Sequence, residues 1–154
     1  MIQILCGDPG HMARCRALAA VTPGATVSEA SGPALDKRAL RLHTLIFWGH
    51  GDSNTFCGLT ASAFDDKVKA WLKWNPTIKT VELITCNSRH GTELSRRVDG
   101  QIETSWVKSY TDQVKKKLQK RKLEVKALPM GMGGGHAHRW SILKYSGTTS
   151  TWLF

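Results

Sequence analysis

The pattern of apolar and polar positions is dominated by two short hydrophobic runs, each ending at a reactive side chain. The first is LIFWGHG at residues 45–51 and the second VELITCNS at residues 81–88. Residues 43–48 (HTLIFW) read as an unbroken strand rich in β-branched and aromatic residues, as a sheet covered on both faces requires. Residues 78–85 read as a second central strand. A third, at residues 2–6, ends in the turn signal GDPG at 7–10. If the two long runs are neighbours in one sheet, the His50 imidazole and the Cys86 thiol meet at its edge.

Between the strands the period changes. Residues 11–20 (HMARCRALAA) place Met12, Cys15 and Leu18 or Ala19 at helical spacing. Thr60 is suited to cap a helix running to Trp74, with Phe64, Val68, Trp71 and Leu72 on its apolar face and Asn75-Pro76 as its stop. Residues 25–30 form a weak strand, and 35–42 a short helix or turn. A loop is expected at 86–91, a short helix at 92–98 and a further helix at 111–122. Strands are expected at 123–128 and 139–145, the latter turning at Ser146-Gly147 toward Trp152, with a flexible loop PMGMGGG at 129–135 between them. Strands alternating with helices predict an α/β fold: an open, mostly parallel central sheet flanked by helices, in one domain spanning 1–154.

Charge adds a second feature. The net charge is +10, with its densest block at KKKLQKRK, so Lys115, Lys116, Lys117, Lys120, Arg121 and Lys122 form a candidate anion-binding group. Such a field suits nucleic acid, an acidic membrane face, a polyphosphate or an acidic protein, and equally a solvated helix face. The four cysteines, Cys6, Cys15, Cys57 and Cys86, show no CxxC pair and follow no secretory leader, which points to free thiols in a reducing, cytoplasmic compartment. Delivery into a host cell leaves no sequence mark and is compatible with this. No run approaches the ~20 apolar residues of a membrane helix.

The two strand ends carry the chemistry. A cysteine attacks as its thiolate, and an imidazole at hand draws off the proton or returns it to a leaving group. Acyl transfer also needs donors for the developing oxyanion. The backbone amides of Gly51 and Cys86 are placed to serve, one on each loop. Cys6 also ends a strand but lacks a linked His-Gly; Cys15 reads as core and Cys57 as a loop thiol.

In these motifs the chain resembles the caspase-like cysteine peptidases of clan CD, in which one apolar strand ends in His-Gly and a later one ends in cysteine. The stretch from Gly49 through TFCGLTASAFDDKVKAWL also resembles the self-processing cysteine peptidase domains of bacterial toxins. The resemblance implies a thiol endopeptidase with Cys86 as nucleophile and His50 as general acid/base. It would act on a protein or on its own polypeptide, as an effector or toxin-type protease, with no metal or cofactor needed for chemistry. It also implies an inositol polyphosphate activator on the 115–122 block. Thr85 stands where the family commonly has Ala or Gly, Glu82 interrupts the second strand, and His50 and Cys86 are only 36 residues apart. Beyond Gly100 the match fades, so the substrate pocket is not legible.

Other readings stand beside this one. The fold can serve as an inactive module binding an anionic partner, nucleic acid included, through its basic face, or the dyad can run another acyl or amide transfer. His90 follows Cys86 closely but reads as a surface residue, and His136 with His138 lacks a third metal ligand.

Overall fold

The parallel strands come first in the chain and build the sheet from its middle outward. In the computed structural model they are β1 (Ile2–Cys6), β2 (Ala25–Glu29), β3 (Thr44–Trp48), β4 (Thr80–Ile84) and, after a detour, β7 (Glu124–Ala127). The described residues are 1–51, 54–85, 92–107, 110–127, 143–146 and 149–152, with the backbone alone described for 92–98, 102–107, 143–146 and 149–152. Cys86, His90, the loop 129–135, His136, His138 and Trp140 lie outside them, as does the start of the strand expected at 139–145.

The sheet order is β2-β1-β3-β4-β7, all parallel, continued at one edge by the antiparallel pair β8 (Leu143–Ser146) and β9 (Thr149–Trp152). This is the open, mostly parallel α/β sheet that the alternation predicts. Cys6, Trp48 and Ile84 are level across β1, β3 and β4. Two cores follow from the period of two in side-chain direction. Ile4, Cys6, Ile46, Trp48 and Ile84 face α1 (Met12–Ala20), meeting Cys15 and Leu18. Leu5, Leu45, Phe47, Val81, Leu83 and Ala127 face α2 (Ala61–Trp74) and α3 (Tyr110–Gln119).

Helix α2 forms where the apolar stripe predicts it. Thr60 caps it by accepting from the Ala63 N–H at 3.3 Å, and Ala61, Phe64, Val68 and Trp71 are its buried face. Asn75 ends it and is fully buried. Its side chain donates to Leu35 O at 2.8 Å and Trp71 O at 3.1 Å and accepts from Lys37 N at 2.7 Å, so every buried polar atom of that amide has a partner. The weak strand at 25–30 is β2, and the segment 35–42 contains a single 3-10 turn, Arg38–Leu40.

One expectation is corrected. Residues 92–98 are not a helix but strand β5 (Thr92–Val98), paired antiparallel with β6 (Gln101–Val107), so that Val98 faces Gln101. The reason is the turn between them. Asp99 and Gly100 both have positive φ, 49° and 79°. That is the pattern of a two-residue hairpin loop whose twist matches the strands, for which Asp-Gly is a favoured sequence. Helix α3 agrees with the expected 111–122 helix, with Tyr110, Val114 and Leu118 buried. No helix among the described residues is long and apolar enough to cross a membrane.

Candidate active site at the carboxyl edge of the sheet

β3 is entirely buried and opens directly into Gly49, His50 and Gly51. Its ladder to β4 continues one step past the last strand pair, with Gly49 N–H donating to Ile84 O at 3.2 Å. His50 is the first exposed residue after the strand, so its ring reaches solvent at the carboxyl edge. Gly49 and Gly51 are glycine for steric reasons. A Cβ on Gly49 would stand 2.6 Å from Cys57 Sγ, and one on Gly51 would collide with Thr85 Oγ1 while standing 3.0 Å from Thr55 O. The loop therefore presses directly against the end of β4. Thr85 is buried, and its hydroxyl has no hydrogen-bond partner among the described residues.

Of the expected site residues, Gly51 is thus beside Thr85, the residue that precedes Cys86 in the sequence, and His50 is its chain neighbour. Cys86 itself is outside the described residues. Lys115, Lys116 and Lys117 are exposed on α3, and Lys120 and Lys122 are exposed where the chain leaves it. Arg121 is committed elsewhere: its guanidinium donates to both carboxylate oxygens of Asp65 on α2, at 2.9 and 3.0 Å. Residues 120–122 lead into β7, whose first residue, Glu124, is level with Thr80 at the start of β4. They therefore lie at the amino edge of the sheet, opposite His50, and an anion bound there would not touch the histidine.

Two residues near His50 were not singled out by the sequence pattern. Asp8, in the GDPG turn after β1, accepts from the His50 backbone N–H through Oδ2 at 3.1 Å and from His11 Nδ1 through Oδ1 at 2.9 Å. Burial alone would raise the Asp8 carboxyl, but the hydrogen bonds from His11 and His50 and the nearness of both imidazoles outweigh it and hold the group below the ordinary carboxylate range. His11 is buried, and its ring meets that of His50 edge-on with centroids 4.5 Å apart. Donation to Asp8 leaves His11 Nε2 as the acceptor facing Arg14 Nη1 at 3.4 Å. The available signal was position: GDPGH follows β1 as GHG follows β3, and both loops open at the same edge.

The other thiols are poor nucleophiles. Cys57 Sγ lies 3.2 Å from His50 O and 3.7 Å from Asp8 Oδ2, and burial together with the Asp8 charge pushes its thiol up to about 11. Cys6 is buried and donates to Asp8 O at 3.0 Å, and burial beside Cys6 drives the Cys15 thiol well above its usual range. Glu82, which interrupts the apolar run of β4, is buried and level with Lys126 of β7. It lines a cleft of about 450 Å3 with Ile2, Thr44 and Thr80 at the amino ends of the strands, away from His50.

No family model, curated protein or solved structure matches this chain.

Proposed function

We propose that this protein is a cysteine endopeptidase of the caspase-like kind, with Cys86 as nucleophile and His50 as general acid and base. One observation carries the reading. β3 and β4 are adjacent, parallel and paired Trp48 to Ile84, and in the sequence each is followed two positions later by a reactive residue, His50 after β3 and Cys86 after β4. Residues level on adjacent strands have backbones about 5 Å apart, which is within reach for a thiol and an imidazole. The contact of Gly51 with Thr85 supports it from the loop side.

In this reading the Cys86 sulfur, its proton given up to His50, attacks the scissile carbonyl carbon. The amides of Gly51 and Cys86 hold the oxyanion, and the protonated His50 delivers its proton to the leaving amine as the C–N bond breaks. The acyl-enzyme thioester is then opened by water, whose proton His50 takes and returns to the cysteine sulfur. The substrate is a protein, or another part of the same polypeptide. Cys6, Cys15 and Cys57 are free thiols, which favours a reducing compartment as the place of work. The exposed lysines of α3 suit an anionic activator such as an inositol polyphosphate, acting from the far edge of the sheet.

The test is cleavage of a diverse peptide library by the wild type beside Cys86→Ala and His50→Ala, each with and without inositol hexakisphosphate. Cleavage lost in both variants supports the dyad. Cleavage that survives either substitution overturns it, and absence of cleavage in every arm shifts the function to anion binding on the α3 face.

A further inference from the structure

Three potential ligands converge at the carboxyl edge from three separate elements. Asp8 comes from the loop after β1, His11 from the turn that opens α1, and His50 from the loop after β3. One donor atom from each lies within 4.8 Å of the others. Their positions are fixed by the fold. Asp8 is tied to the His50 backbone, His11 N–H donates to Asp8 O at 3.1 Å within a 3-10 turn begun by Pro9, and the His11 ring is buried against those of Trp48 and His50.

We infer that Asp8, His11 and His50 form a binding site for a divalent transition-metal ion of the zinc class. Two imidazoles and a carboxylate are a donor set that Zn2+ accepts at about 2.0–2.2 Å, with a fourth position left to water. The 2.9 Å separation of His11 Nδ1 from Asp8 Oδ1 is close to the ~3.3 Å spacing of two ligand atoms around a tetrahedral ion, and the wider separations, all within 4.8 Å, close by rotation of the exposed His50 ring. Hard cations such as Mg2+ prefer oxygen donors and are poorly matched by two ring nitrogens. Arg14, half-exposed on α1, turns away from His11 when the ion enters. Cys57 is no ligand, since its thiol is held as a donor toward Asp8 and His50 O. The ion would take the His50 ring out of proton transfer. That consequence rests on the peptidase reading, and it makes the metal a brake on cleavage; the site itself does not depend on that reading.

The experiment is titration of the metal-free full-length chain with Co2+, followed by its visible d–d absorption, and with Zn2+ by calorimetry. The wild type is expected to bind one ion per chain, with a tetrahedral Co2+ spectrum lacking sulfur-to-metal charge transfer. His11→Gln and Asp8→Asn are expected to weaken binding by ~100-fold while retaining the wild-type circular dichroism. Cys86→Ala and Cys57→Ser should bind as the wild type does, whether or not the protein cleaves peptides. Absence of a 1:1 complex overturns the proposal, as does unchanged affinity in His11→Gln or loss of binding in a cysteine variant. If cleavage is present, Zn2+ at saturating concentration should stop it in the wild type; continued cleavage with the site filled overturns the brake alone.

Discussion

The backbone N–H of His50 donates to Asp8 Oδ2 at 3.1 Å, so the loop after β3 is held by a carboxylate from the loop after β1. Hydrogen bonds to a charged group in a partly buried place contribute about 1.5–3 kcal/mol. Asp8→Ala should therefore lower the unfolding free energy by about that amount in urea titration. Asp8→Asn, which can still accept, should lose less. If peptide cleavage is found, Asp8→Ala should reduce kcat more than it raises KM, because it loosens the general acid rather than the substrate contacts.

Gly51 and Thr85 form a steric pair. Gly51→Ala drives a methyl into the Thr85 hydroxyl, and overpacking of this kind costs about 1–3 kcal/mol. Thr85→Ala removes the nearest obstruction, the hydroxyl, and leaves the Thr55 carbonyl oxygen 3.0 Å away. The double variant should be more stable than Gly51→Ala alone, a coupling visible in a double-mutant cycle; strict additivity would show that the two loops are not in contact.

Phe64 sits fully buried on α2 with its ring 4.4 Å from that of Phe47, 6.0 Å from Phe56 and 6.2 Å from Tyr110. It joins β3, the 54–59 loop, α2 and α3 in one aromatic group. Phe64→Ala should cost about 3–5 kcal/mol, read from the denaturation midpoint, and the cavity should make the 54–59 loop more open to proteolysis.

The Asp65–Arg121 pair gives a pH dependence with a definite sign. The hydrogen bond from Arg121, with its charge and those of Lys117 and Lys69, holds the Asp65 carboxyl below its ordinary range despite burial. A carboxyl whose folded value is depressed stabilises the protein above its unfolded value of about 3.8, and that contribution fades as pH falls through the folded value. The wild type should therefore lose stability more steeply than Asp65→Asn below about pH 4, while at pH 7 the variant should be less stable by about 1 kcal/mol.

Thiol reactivity should separate the cysteines. Cys57 is pushed up to about 11 and Cys15 is driven higher by burial, so neither presents much thiolate at pH 7.5, and Cys6 is buried away from reagent. Limited iodoacetamide treatment followed by mass spectrometry should leave them unlabelled and, if Cys86 is the nucleophile proposed above, modify that residue first. Early labelling of Cys57 would contradict the carboxylate-shielded thiol described above.

Strands β1, β3 and β4 were legible because each is a short, mostly apolar run that is almost wholly buried, whereas β2 and β7 are half-buried and carried a weaker signal. Helix α2 was legible from its cap and its stripe. The β5–β6 hairpin was not, because TELSRRV is polar and charged, and the decisive signal was the Asp99-Gly100 turn rather than the strands beside it. His50 and its glycines were visible as a loop after a strand. Asp8 and His11 were not, since GDPG reads as punctuation and only the alignment of β1 with β3 reveals that this turn faces the histidine. The basic block was visible as charge, but its position at the amino edge and the commitment of Arg121 depend on where α3 packs.

The strand order has a consequence of its own. From β1 the chain crosses to one side to make β2, then returns over the sheet and builds β3, β4 and β7 on the other side. Right-handed crossovers running in opposite directions put their helices on opposite faces, α1 on one and α2 and α3 on the other. The chain segments leaving β1 and β3 therefore head for opposite faces at the one place where the winding reverses, and Gly7 N–H to Trp48 O at 2.7 Å, with His50 N–H to Asp8 Oδ2, holds their first residues together. Asp8, His11 and His50 stand at that point. Topology alone would make this the point where a small molecule or an extended chain can enter without displacing a crossover, whichever chemistry the side chains then perform.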